Sequence, residues 1–178
     1  ELIESFKLEN VQKAAAVFDL KRFNWVSSQQ LAKLDEESFF EVIKPFMEDE
    51  DINEDFPNYE KILLAMRTSK TNLKDIAHAT RPFFFELDGY DEKGVKKFLS
   101  ESLETLTFAL EVLSKVAEWN ETELDMALIK VRDYFNLPIP KVNQPMRIAL
   151  VGSTVSPSLG LTLELFGKEK SLERIQKA

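Results

Sequence analysis

Apolar residues recur at intervals of three and four along most of the chain, and convincing runs of alternating β-branched residues are missing. Phe39, Val42, Ile43 and Phe46 form one such stripe behind Asp35, a residue type suited to capping a helix. Pro45, inside the stripe, predicts a kink or a loosening there. Tyr59, Ile62, Leu63 and Met66 make the next stripe, with Pro57 expected in its first turn. Asn72 predicts the cap of a short helix through Leu73, Ile76 and Ala77, which Pro82 is expected to stop. Leu103, Leu106, Leu110, Leu113 and Ala117 share a face, so the longest helix is predicted from about Glu101 to Ala117.

Asn120 and Glu123 then spell a capping box, with Trp119 placed to staple onto Leu124. That helix should run through Leu128, Val131 and Phe135 until Pro138 and Pro140 break it. Pro145 is expected to open another helix that Gly152 ends, and Ser156-Pro157 to cap and start the next. Gly167 separates that one from a last helix around Leu172 and Ile175. The loop from Glu86 to Asp91, with Asp88-Gly89-Tyr90 inside it, is the expected seam. The pattern predicts an all-α protein of two packed helical bundles, residues 34–90 and 91–178, preceded by a separate stretch 1–33.

Composition narrows the function classes. At 178 residues, 44% hydrophobic and 30% charged, the chain has an ordinary globular mixture. No run approaches the length of a membrane span, and the opening Glu1-Leu2-Ile3-Glu4-Ser5 lacks the basic start of a secretory signal. An opening on Glu1, already in helical pattern, reads as a piece of a longer chain. Zero cysteines exclude a disulfide framework and a thiolate metal site, and fit a reducing cytoplasm. His78 has no second histidine to share a metal, and sits between alanines where a structural or surface role is expected. The run Glu48-Asp49-Glu50-Asp51 lacks the spacing of a calcium loop, and the five glycines never group as a phosphate loop. Phe83-Phe84-Phe85 reads as core. No independent enzyme is visible, and no cofactor is expected in this chain.

Net charge is −8, which by itself disfavours a nucleic-acid partner. The charge is uneven: residues 128–178 carry +4 and the remaining 127 residues carry −12. A phosphate-binding face could sit in the basic third while the acidic remainder faces solvent; chance unevenness on a solvated surface is the other reading.

Several stretches, in order, resemble the C-terminal half of bacterial glutamyl-tRNA synthetases. They are L-I-E-S-F-K-L-E-N-V at 2–11, A-V-F-D-L-K-R-F-N-W at 16–25, M-R-T-S-K-T-N-L-K-D at 66–75 and R-P-F-F at 81–84. The strongest is P-M-R-I-A-L-V-G at 145–152, followed by S-P-S-L at 156–159 and F-G-K-E-K-S-L-E-R-I at 166–175. The resemblance spans essentially the whole chain. The family's two ATP-site signatures, H-I-G-H-like and K-M-S-K-S-like, are missing and would be expected upstream of Glu1.

The resemblance implies an anticodon-binding region in which residues 1–33 close the tRNA stem-contact region. It implies that Arg147 faces the anticodon loop and that Ser156, Pro157 and Leu159 pack around its bases. Lys130 falls near a basic family position across a one-residue gap. Lys21 and Trp25 match a helix that contacts the tRNA stem and braces the catalytic core; plain core packing is the other reading of Trp25. The third anticodon base is commonly met by an arginine where this chain has Ser69, and Arg67, two residues earlier, could take its place. The implied partner is glutamate tRNA, with glutamine tRNA as a possible second, and a monomer is expected. In the family the whole enzyme uses ATP and magnesium. A paralogue charging glutamine tRNA with glutamate is one alternative. A helical protein-interaction module with no RNA role is another, supported by the net acidity and the leucine-striped helix.

Overall fold

The computed structural model describes residues 2–10 and 17–178, and every regular element among them is helical. Val11 and Ala16, which belong to the first two motifs, lie outside the described residues. A short α1 (Leu2–Ser5) and a 3-10 turn (Leu8–Asn10) precede α2 (Leu20–Lys33), capped by Asp19, whose carboxylate accepts the Lys21 and Arg22 amides. Only Leu31 of α2 is buried. Then come α3 (Glu36–Glu48), α4 (Tyr59–Met66) and α5 (Leu73–Phe84), with α3 and α4 both packed on α5. Asp35 and Asn72 cap α3 and α5 as the sequence predicts, accepting the amides of Ser38 at 2.8 Å and Asp75 at 2.9 Å. Phe39, Ile43, Met47, Ile62, Leu63 and Met66 bury completely or nearly so between them.

The second bundle begins with α6 (Glu92–Gly94), which runs into one π turn over Val95–Leu99. It continues through α7 (Leu103–Ser114), α8 (Glu121–Phe135), α9 (Ile139–Val151), α10 (Leu159–Phe166) and α11 (Lys168–Lys177). The two bundles share one continuous core. Phe83 of α5 stacks on Phe166 of α10 with ring centres 4.7 Å apart. Across the same junction Lys61 of α4 pairs with Glu164 of α10 at 2.5 Å. Arg174 of α11 donates to the carbonyls of Pro82, Leu150 and Phe85 at 2.6–2.8 Å. That guanidinium closes the C-termini of α5 and α9 together, where helix carbonyls lack intrahelical donors.

Several boundaries differ from the sequence expectation, and prolines account for most of them. Pro82 and Pro145 lie inside α5 and α9 instead of bounding them, while Pro45 lies inside α3, within its stripe as expected. A proline inside a helix costs about 3 kcal/mol. Each of these is followed by buried apolar side chains, Met47, Phe83, and Met146 with Ile148. Burying one such side chain returns about 1.5–3 kcal/mol, so continuing the helix wins. Pro57 lies outside α4, because Asn58 before the first turn adopts left-handed φ 59. Ser158, not Ser156, caps α10. Among the described residues the longest helix is α8, at 15 residues, while α7 stops at 12. Of the expected capping box, the Asn120 half forms, with its side chain accepting the Glu123 amide at 3.0 Å. The Asn120 amide goes to the Glu118 carbonyl, and Trp119 anchors by donating to the Leu163 carbonyl at 2.8 Å.

Candidate nucleic-acid interface

The stretch between α9 and α10 is held at both ends. Gly152 closes α9 at φ 72, and a Cβ there would lie 2.6 Å from the Gly89 carbonyl oxygen, so the position accepts only glycine. Its carbonyl accepts the Asp91 amide at 2.7 Å, which ties the end of α9 to the loop joining the bundles. At the other end the Thr162 hydroxyl lies 2.9 Å from the Ser158 carbonyl and 3.1 Å from Ser156 Oγ.

Arg147 stands one turn before the end of α9 and reaches across this loop, with Nη2 donating to the Pro157 carbonyl at 3.0 Å. Ser156 Oγ donates to the same carbonyl at 3.1 Å. Burial lowers the Arg147 pKa from its ordinary value, and its Nε is buried with no partner. Gln144, three residues earlier on the same face, also holds a buried Oε1 without a partner. One turn of α9 thus carries a buried guanidinium nitrogen and a buried amide oxygen without partners, an expensive arrangement unless a ligand completes it. Gln144 was not singled out from the sequence; its spacing from Arg147 is the signal that could have found it. Leu159 is 2% exposed and turns its side chain into the core, so it contributes only backbone to the loop. Val155 instead projects, 40% exposed.

The second expected cluster follows α4. Arg67 donates through Nε and Nη2 to the Leu31 carbonyl at 3.1 and 2.6 Å, and through Nη2 to the Leu34 carbonyl. Its guanidinium also lies 5.1 Å over the Phe39 ring. These contacts close the C-terminus of α2. Ser69 is half-buried, and its hydroxyl is buried with no partner. Immediately after it, Lys70 lines a cleft of about 410 Å³ with Asp75, His78, Pro82, Val151 and Ser153. That cleft joins the Ser69 corner to the beginning of the 152–158 loop, and its size suits a small planar ligand. His78 is exposed beside Glu50, with Nδ1 3.2 Å from Oε1.

Lys130 on α8 and Lys21 on α2 are exposed, and neither side chain has a partner among the described residues. Trp25 is 62% exposed, which rules out core packing within this chain. The basic third does not form one phosphate face. Lys168, Lys170 and Arg174 are taken up by the carbonyls of Val116, Phe83, Pro82, Leu150 and Phe85. Arg132 and Lys177 pair with Asp133 and Glu173. Lys130, Lys141 and Arg147 retain donors for a ligand.

Comparison with known proteins matches residues 38–178 to the model of the anticodon binding domain family. Over 185 aligned residues the chain is 30% identical to the glutamate–tRNA ligase of Thermodesulfovibrio yellowstonii, covering 99% of this chain and 39% of that one. It is 33% identical over 181 residues to the glutamate–tRNA ligase of Myxococcus xanthus, covering 100% and 38%. The solved glutamate tRNA ligase of Elizabethkingia meningosepticum superposes with a TM-score of 0.76 at 26% identity, over 99% of this chain and 35% of that one. This chain therefore spans between a third and two fifths of the relatives it matches. The paired bundles, the loop under Arg147 and the family match over most of its length agree: the chain belongs to the anticodon binding domain family.

Proposed function

We propose that this chain is the anticodon-reading part of a glutamate–tRNA ligase, gripping tRNA while the remainder of the enzyme attaches glutamate. The observation that carries the reading is Arg147, which reaches over the Ser156–Pro157 loop while its Nε, and Gln144 Oε1 on the same helix, lack partners. Single-stranded bases are read when they leave their stack and meet such donors, acceptors and planar groups. In this reading Arg147, Ser156, Pro157 and the backbone at Leu159 surround anticodon bases, and Ser69 stands at the third base. Arg67 supports that corner from behind, while Lys130 and Lys21 meet phosphates. The divisions at 33/34 and 90/91, a monomeric state and a cytoplasmic location belong to the same proposal. No helix among the described residues is long and apolar enough to cross a membrane. ATP and magnesium enter with the ligase reading. The described residues hold no group of three or more His, Cys, Asp or Glu fit for a metal, so no step is assigned to them here.

Ser69 favours a second reading within the same class. Its hydroxyl both donates and accepts, and separates the glutamate and glutamine anticodons less well than a guanidinium would. A parent enzyme that accepts both tRNAs follows. The experiment for the main reading is filter binding of glutamate tRNA, and of the same tRNA with its anticodon replaced, at low and moderate salt. Steep salt dependence and weaker binding of the replaced tRNA are expected. Equal affinity for the two RNAs would overturn it.

A further inference from the structure

The segment that leads into α10 is gripped from below by two carboxylates on α8. Glu121 Oε1 accepts the Ser158 hydroxyl. One turn on, Asp125 lies against Gly160, where an added Cβ would sit 2.4 Å from its Oδ1 and 2.8 Å from the Glu121 carbonyl oxygen. Helix α10 meets α8 there with no room for any side chain. Ser158 Oγ accepts the Leu161 amide at 3.3 Å, and the Gly160 backbone N–H acts on the Asp125 carboxylate. Of the first amides of α10, Leu161 is therefore capped by Ser158 Oγ and Thr162 by the Ser158 carbonyl. Two carboxylates already lie beside this helix start, which disfavours a phosphate there.

Glu121 and Asp125 are four residues apart on one helix, a like-charge spacing that is unfavourable by itself. Partial burial, and then the Glu121 charge, raise the Asp125 carboxyl above its ordinary value; the Gly160 N–H opposes them. The first turn of α10, the positive end of that helix, lies against both carboxylates, with Ser158 on Glu121 and Gly160 on Asp125. Pro157, which accepts from Arg147, is directly followed by Ser158, the residue Glu121 holds. A shift of the first α10 turn therefore moves the Pro157 carbonyl and the guanidinium bound to it.

We propose that Asp125 is a positioning residue for anticodon recognition: with Glu121 it fixes the first turn of α10, and through it the 156–158 loop under Arg147. The proposal rests on the anticodon-reading function, and Asp125 itself touches no RNA. The test compares the 178-residue chain with Asp125→Ala, Asp125→Asn and Gly160→Ala. An anticodon stem-loop RNA is the ligand, and hydrogen exchange of the Gly160 and Leu161 amides is followed in parallel without RNA. Asp125→Ala should weaken RNA binding about tenfold and raise amide exchange at the start of α10, the loss expected for one charged hydrogen bond. Asp125→Asn keeps an acceptor oxygen and should restore both within about twofold. Gly160→Ala, which meets the rigid Glu121 carbonyl, should reproduce the alanine effect with Asp125 intact. If Asp125→Ala leaves exchange and affinity unchanged while the unaltered chain binds the RNA, the positioning role is wrong. Equal losses in the alanine and asparagine variants would also overturn it, because the charge and not the anchored turn would matter. If the unaltered chain fails to bind the stem-loop, the anticodon reading fails, while the exchange data still report whether Asp125 anchors the turn.

Discussion

At the corner after α4, Arg67 commits its guanidinium to the Leu31 and Leu34 carbonyls, and Ser69 is left with a buried, unpartnered hydroxyl. At the corner after α9, Arg147 makes one hydrogen bond, to Pro157, and keeps a buried Nε free. Both arginines lie near helix ends and beside serines, yet Arg67 commits Nε and Nη2 to backbone carbonyls whereas Arg147 commits only Nη2. The cause is what lies within reach. The C-terminus of α2 presents carbonyls to Arg67, whereas Gly152 and the Asp91 amide already close α9 where Arg147 stands. An arginine is available to a ligand when no helix C-terminus has claimed it.

The comparison breaks most sharply in stability. Arg67→Ala leaves two backbone carbonyls at the end of α2 without their charged donor and removes the contact over Phe39. A loss of about 2–4 kcal/mol is expected in urea unfolding, from hydrogen bonds to a charged group plus lost packing. RNA affinity of the folded variant should stay within about twofold, since each lost base contact would cost more. If affinity falls with stability unchanged, Arg67 is the reader and the corners exchange roles.

Arg147→Ala should do the reverse. The expected loss is about 1–3 kcal/mol of tRNA binding, by analogy with base readout in duplexes, and clearly less than that in unfolding free energy. Parallel binding and unfolding curves decide it. A fall in melting temperature with unchanged affinity would make Arg147 a structural brace of the loop.

Ser69→Arg probes the emptier corner. On the proposed reading, a guanidinium there would reach the acceptor edge of cytosine and meet the donor-bearing edge of guanine less well. The preference for glutamate over glutamine tRNA should rise about tenfold, or roughly 1.4 kcal/mol, in charging by the parent enzyme. A strong preference already present, and unchanged in the variant, would show that the third base is read elsewhere.

How much of this was legible follows the same division. The caps Asp35, Asn72 and Asn120 could be read because capping depends on a side chain and an amide three residues on. Gly152 and Gly167 could be read because positive φ selects glycine. The starts of α9 and α10 could not, since burial of Met146, Ile148 and Leu159 decided them and burial belongs to the fold. The basic third misled for a related reason. Counting charge along a chain does not reveal that Lys168, Lys170 and Arg174 face backbone carbonyls from other helices. Arg147 and the Ser156–Pro157 loop were reached through motif resemblance, Gln144 could have been found from its spacing to Arg147, and Asp125 needed coordinates.

The smallest effect concerns the joint between the two corners. Glu164 on α10 takes a hydrogen bond from Lys61 of α4 at 2.5 Å and from the Glu121 amide at 2.6 Å. Those contacts, Lys61 first and the amide second, lower its carboxyl pKa from the ordinary value of 4.5. With the folded value below the unfolded one, the carboxylate's contribution is fully present above about pH 5. It is lost as pH falls through the folded pKa. Lys61 is half exposed, so the ion pair is screened and contributes at most about 1 kcal/mol. In Glu164→Gln, unfolding at neutral pH should be weakened by no more than that, and the gap to the parent should close toward pH 3. The amide of glutamine can still accept from Glu121, so only the charged part of the link is removed. Urea unfolding of both chains at several pH values measures the gap. A difference that persists undiminished at pH 3 would mean that Glu164 joins the bundles by packing and hydrogen bonding, and that its charge contributes nothing.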